Sequence, residues 1–227
     1  MLKVIEETDK FSSLKGSSPS KISKKPKLAF SLPAGSDFSC AGETSICKDA
    51  CYAKKGRHVF ANVQSLQAAN WKLLKQMEAS ADSAGAIKAI SDIIPKNAKI
   101  YRIHESGDFF SQWYIDVWEK VIKSRADVQF WFYTRCFQFN WENISKLPNV
   151  SCWASTDSEN LVAATKFVEN NPAFRFAFGP LNPSDKPDNT VICPVTSGKL
   201  AVDGACEKCM LCVNMQKFTK NIGFVEH

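Results

Sequence analysis

The sequence predicts an α/β protein built as a partial (β/α) barrel of about six mostly parallel strands. Three observations carry that prediction. Short apolar runs alternate with amphipathic stretches about twenty to thirty residues apart, the signature of βα units and a parallel sheet. The runs are apolar nearly throughout, as strands are when both faces are covered. Each run is also followed at once by polar or turn residues, and in parallel folds such loops gather at one mouth of the sheet.

Taken in order, residues 27–32 (KLAFSL) form the first expected strand, stopped by Pro33-Ala34-Gly35. Segment 40–56 has turn chemistry and reads as a loop ending in a short helical turn. Val59, Val63, Leu66, Trp71 and Leu74 fall near helical spacing over 58–77, and a second helix over 82–94 is closed by Pro95. Strand 99–104 (KIYRIH) precedes a helix over 111–123, with Tyr114, Val117, Trp118, Val121 and Ile122 on one stripe and Ser111 as its N-cap. Strand 128–134 (VQFWFYT) leads to a short helix over 141–147. Strand 150–154 (VSCWA) leads to a helix over 158–168 with Leu161, Val162, Thr165 and Val168 inward. Strands 174–178 (FRFAF) and 190–193 (TVIC) complete the count. Eight strands would close a full barrel; six leave it open.

Composition bounds the rest. At 227 residues and 44% apolar, with sixteen Phe and six Trp, one domain over 26–227 can bury a core. The net charge of +6 is concentrated at the start, where residues 1–27 hold seven lysines against Glu6, Glu7 and Asp9. Residues 1–25 therefore read as a flexible basic arm rich in Ser and Lys, a solvated leader or a contact for nucleic acid. The N-terminus has no apolar signal-peptide core. No run of eighteen apolar residues exists to span a membrane. A cytoplasmic location is the expectation.

Nine cysteines are the most informative residues. In a reducing compartment clustered thiols read as metal-binding or catalytic rather than as a disulfide framework, and an odd total cannot pair completely. Cys40, Cys47 and Cys51 make one group, in CAGETSICKDACYAKKG. Cys193, Cys206, Cys209 and Cys212 make the other, in CPVTSGKLAVDGACEKCMLC. A C-x2-C-x2-C run plus a distant Cys-Pro fits an iron–sulfur cluster, with zinc as the alternative metal. Three thiolates alone would leave one iron of a 4Fe-4S cluster open to a small molecule. On a partial barrel that is the arrangement of radical S-adenosylmethionine enzymes, although their usual C-x3-C-x2-C spacing is absent here. The two groups could also share a single cluster, so one or two clusters remain open. Cys136 and Cys152 read as core thiols.

The polar residues after the strands supply the other candidates. His104, Glu105, Asp108 and Arg135 are the catalytic candidates, as acid, base or carboxylate-binding groups. Ser106, Gly107, Thr134 and Asp157 are candidates for holding a cofactor. Each has a structural alternative: Asp157 as a helix cap, Gly107-Asp108 as a turn, Arg135 in an ion pair with Asp108 or Glu105. Arg102, within its strand, is expected in a buried salt bridge.

FSLPAG, C-x6-C-x3-CYAxxG, RIHESGDFFSxxY, FWFYTR, and CP followed by CxxCxxC together resemble the bacteriophage gene-product-88 family, in register from about Ser17 to Cys212. The resemblance implies a phage-encoded protein of the bacterial host cytoplasm with cysteines suited to an iron–sulfur cluster. It brings no reaction with it. The matching positions are Cys40, Cys47, Cys51, His104, Ser106, Gly107, Asp108, Thr134, Arg135, Cys193, Cys206, Cys209 and Cys212; Glu105 falls where the motif is permissive. Three functions follow as expectations. One is a radical-type enzyme acting on a small molecule with S-adenosylmethionine. The second is an electron-transfer protein with a redox partner. The third is a nucleic-acid or host-protein binder with a structural metal.

Overall fold

The computed structural model describes residues 12–18 and 27–225. Its centre is a six-stranded, all-parallel sheet that does not close, a partial β/α barrel. The strands are β1 (Ile100–Arg102), β2 (Gln129–Thr134), β3 (Val150–Thr156), β4 (Phe174–Leu181), β5 (Thr190–Ile192) and β6 (Asn221–Val225), in spatial order β1-β2-β3-β4-β6-β5. The helices are α1 (Ser45–Asp49), α2 (Ala61–Ala79), α3 (Ser83–Ile93), α4 (Gln112–Ser124), α5 (Glu142–Ser145), α6 (Leu161–Asn170) and α7 (Ala205–Cys209).

The pairing register sorts strand side chains onto two faces. Tyr101, Phe130, Phe132, Val150, Cys152 and Phe174 share one face. There Tyr101 and Phe130 meet Trp118 of α4, Phe132 stacks on Trp141 beside α5, and Phe174 meets Phe167 of α6. Ser111 caps α4 as expected, accepting from the Tyr114 N–H. Arg102, Trp131, Tyr133, Ser151, Trp153, Arg175, Ala177 and Ile222 share the opposite face. Among the described residues no long helix covers that side; the β5–β6 crossover does.

Three expectations need correction. Residues 27–32 lie beside β1 through Phe30 N–H to Arg102 O (3.1 Å) and Arg102 N–H to Leu28 O (2.9 Å), but form only an isolated bridge at Ala29. The ladder stops because the chain after β1 turns at His104, with φ +63°, and Leu32 N–H goes instead to Ser106 O (2.9 Å) beyond that turn; on the other side Ser17 bridges Ala29, antiparallel. Strand β6 was not expected, and it inserts between β4 and β5. In α6 the inward residues are Ala164 and Phe167, whereas Leu161 and Val162 are exposed, Val162 to 85%. Phe167 sets that rotation by stacking on Phe137 and meeting Phe174.

Of the basic N-terminal stretch, residues 12–18 lie against the body: Leu14 is buried, and the Lys15 backbone exchanges hydrogen bonds with the Asn70 side chain. The remainder of the expected arm lies outside the described residues. No described helix is long and apolar enough to cross a membrane.

Candidate metal centre

None of the nine cysteines is in a disulfide, and Cys136 and Cys152 are buried in the core. The other seven fall in two places. Cys193, Cys206, Cys209 and Cys212 lie on the β5–β6 crossover and line one cleft, walled by Trp131, Val195, Val213 and Ile222. An irregular segment laid against a sheet must find partners for its backbone carbonyls. Here the sheet supplies them. Ser151 Oγ donates to Val213 O (2.6 Å), Trp153 Nε1 to Cys212 O (2.9 Å) and Arg175 to Met215 O (2.6 Å). Gln216 Nε2 returns the favour to Val150 O (3.2 Å). Burial pushes the Cys212 thiol up, the Tyr133 hydroxyl bonded to it works the other way, and the neighbouring Cys193, Cys206 and Cys209 add to the rise.

Cys40, Cys47 and Cys51 sit on the loop that crosses the C-terminal ends of β1 to β3. Four contacts pin it. Gly42 lies so close to the strand end that a Cβ there would stand 2.1 Å from the Arg135 carbonyl oxygen. Thr44 caps α1, accepting from Cys47 N–H (3.0 Å), and donates to Asp157 Oδ2 (2.6 Å). Ser45 N–H donates to Glu159 (2.8 Å), and the Tyr52 hydroxyl donates to the Glu105 carbonyl. Burial raises the Cys40 thiol to about 12, with Asp108, Cys47 and Cys51 adding to it. Cys47 is raised by burial too, opposed by the Arg135 guanidinium.

The donor chemistry fits a thiophilic metal or an iron–sulfur cluster. Thiols that burial holds protonated become thiolates when a cation joins them. No three His, Cys, Asp or Glu side chains among the described residues are poised around a common metal position.

The strand-end candidates divide. Asp108, Thr134, Arg135 and Asp157 come together beside the three-cysteine loop. Asp108 Oδ2 accepts from Arg135 N–H (2.8 Å) and Oδ1 from Phe109 N–H (2.7 Å); burial still raises its carboxyl to about 6. Thr134 Oγ1 accepts from Cys136 N–H. Arg135 pairs with Asp157 at 2.5 Å rather than with Asp108 or Glu105, and donates to Gly179 O. Asp157 also accepts from the Glu159 and Asn160 N–H groups in the turn before α6; the N-cap position of that helix is Asn160, so Asp157 holds the turn and pairs with Arg135 rather than capping the helix.

The rest point elsewhere. His104 is buried against Phe109 and Tyr114, with Nε2 on the Tyr114 hydroxyl (3.0 Å). Glu105 is buried in an ion pair with Arg57, beside His58. Ser106 donates to Leu32 O (2.9 Å). Gly107 adopts φ +84°, and a Cβ there would meet Ser39 Oγ at 2.4 Å and Leu32 Cβ at 2.8 Å. Gly107→Ala is therefore expected to cost about 2–3 kcal/mol, read as a lower urea midpoint at unchanged slope.

Arg102 does not form the expected salt bridge. Its Nε donates to His104 O (3.0 Å), one amino group donates to the Tyr52 hydroxyl (3.1 Å), and its plane lies over the Tyr133 ring. The nearby carboxylate, Glu105, is turned to Arg57 instead. Thr44, Tyr52 and Glu159 were not singled out in the sequence. Thr44 left a signal there as a threonine three residues before Cys47, and Tyr52 as the residue after Cys51 in CYAxxG.

The Gene product 88 family profile matches residues 5–221, nearly the whole chain. The chain belongs to the gene product 88 family. Two relatives, each titled "Gene 88 protein", come from mycobacteriophages. That of phage D29 is 34% identical over 203 residues, covering 82% of each chain. That of phage L5 is 33% identical over 202 residues, covering 81% of each. No solved structure matches. In this family member one cysteine group crosses the strand ends and the other lies against one face of the sheet, while Ile103–Asp108 form the turn that follows β1.

Proposed function

We propose that this protein is an iron–sulfur protein whose cluster is held by Cys193, Cys206, Cys209 and Cys212. The observation that carries the reading is that these four thiols line a single apolar-walled cleft on a crossover fastened to the sheet. Thiolate ligands and apolar surroundings are what such clusters require. Bound there, the cluster would supply one-electron transfer to a redox partner. Tyr133 and Trp153 would hold Cys212 in place, one at its sulfur and one at its carbonyl. Structural zinc is the second reading. Cys206 and Cys209 sit one turn apart on α7, and this C-x2-C spacing serves a tetrahedral ion equally.

The test is metal and acid-labile sulfide content of the full chain purified without oxygen. Iron and sulfide in equal amounts are expected, with iron lost on Cys206→Ala/Cys209→Ala substitution. Zinc without sulfide would replace the redox reading with the structural one.

A further inference from the structure

The five arginines of the chain divide by what holds their charge. Arg57 pairs with Glu105, Arg125 with Asp127 (2.9 Å) and Arg135 with Asp157. Arg175 has no carboxylate, but it fastens the crossover by donating to the carbonyls of Met215 and Phe218. Arg102 has neither arrangement. Among the described residues no carboxylate lies within ion-pair distance of it, and Glu105, three residues on, is turned to Arg57.

A guanidinium carries five N–H donors in a rigid plane. Only two of those on Arg102 are placed: Nε donates to His104 O (3.0 Å) and Nη2 to the Tyr52 hydroxyl (3.1 Å). Nη1 has no acceptor among the described residues. Unlike Tyr101 Oη, His104 Nδ1 and Trp118 Nε1, which are sealed without a partner, it is open to solvent.

Position and charge narrow what would meet it. Arg102 ends β1, at the strand ends where parallel α/β folds bind small molecules. Its plane lies over the Tyr133 ring, 5.2 Å from the centroid; Phe224 meets that ring edge-on, and the exposed Tyr52 stands beside it. Arg57 and Glu105 cancel each other, so Arg102 leaves one positive charge over. A carboxylate brings one negative charge and two oxygens in one plane, which match the fork. A phosphate dianion would need a second cation, and Arg57 is already taken.

We propose that Arg102 anchors a binding site for the carboxylate of a small molecule at this mouth, with the Tyr52 and Tyr133 rings against the body of the ligand. The site needs no metal and does not depend on the four-cysteine reading.

The test is isothermal titration calorimetry of the full chain with sodium benzoate at low salt. Saturable binding of one benzoate per chain is expected. Arg102→Met is expected to weaken it at least about tenfold, through loss of a charge-assisted hydrogen bond. Arg102→Lys keeps the charge without the planar fork and should fall between the two. Circular dichroism reads the fold of each variant, and Arg102→Lys carries the comparison if Arg102→Met does not fold. No saturable binding, or equal binding by wild type and variants, overturns the site. Inorganic phosphate bound more tightly than benzoate overturns the carboxylate assignment.

One further variant separates this site from the cysteines. Trp131, the neighbour of Arg102 in the strand register, walls the four-cysteine cleft. Cys206→Ala/Cys209→Ala should bind benzoate as the wild type does. Binding in that variant alone would make Arg102 the countercharge of the thiols, and overturns the site.

Discussion

Arg135→Met is expected to lower stability by about 3–5 kcal/mol, the cost of removing one partner from a buried ion pair. The pair qualifies as buried, because the Arg135 side chain is 9% exposed and that of Asp157 2%. Methionine restores much of the volume but none of the charge. Asp157 would keep the Thr44 hydroxyl and the Glu159 and Asn160 N–H groups, yet face them as a carboxylate without a countercharge. The effect also spreads. Thr44 caps the helix that carries Cys47, so loosening Asp157 loosens the three-cysteine loop. Urea unfolding of Arg135→Met, Asp157→Leu and the double variant makes the cycle. The double variant should recover part of the loss, because it leaves no charge stranded. A loss below about 1 kcal/mol for Arg135→Met would mean that the pair behaves as a solvated surface bridge.

How far the sequence reaches depends on how local the information is. Alternation of apolar runs and stripes locates β1 to β4 and α2 to α4 to within a few residues, because burial against neighbours of the same kind imposes the period. Strand β6 escapes notice: Asn221–Val225 has a glycine at its centre and follows Lys217-Phe218-Thr219-Lys220, where a single apolar residue stands among polar ones. What makes it a strand is a slot between β4 and β5, not its own pattern. The cysteine groups are legible as groups because their spacing is local. Their anchors are not. Ser151, Trp153 and Arg175 read as ordinary strand residues until the register places them on the face where the crossover lies. Arg102 shows the same limit. A guanidinium in a strand invites a carboxylate partner, but Glu105 is three residues on and turned to Arg57, which is forty-eight residues away in sequence.

His104 gives the second large effect, and it is read by acid. Burial lowers its imidazole to about 3, with Arg102 adding to the fall. Nε2 is on the Tyr114 hydroxyl, and Nδ1 is buried without a partner. Protonation would thus place an N–H against nothing that accepts it. The folded value lies below the ordinary 6.5 of the unfolded chain, so the native state binds fewer protons. The stability this contributes is present above pH 6.5 and is lost as pH falls towards 3. The loss from this group amounts to about 2 kcal/mol at pH 5 and roughly 4 kcal/mol at pH 3. Asp108 works in the opposite sense, since its carboxyl is raised to about 6 and protonation stabilises the fold as pH falls through that value. Urea midpoints of the wild type alone would mix the two. The decisive quantity is the difference between wild type and His104→Asn, in which Asp108 is common to both. Asparagine suits the positive φ of 63° at this position. The variant starts less stable, having lost the ring packing, but the gap to wild type should narrow by about 2 kcal/mol between pH 7.5 and pH 5. A gap that stays constant with pH would mean that the imidazole reaches solvent or an acceptor when it is charged.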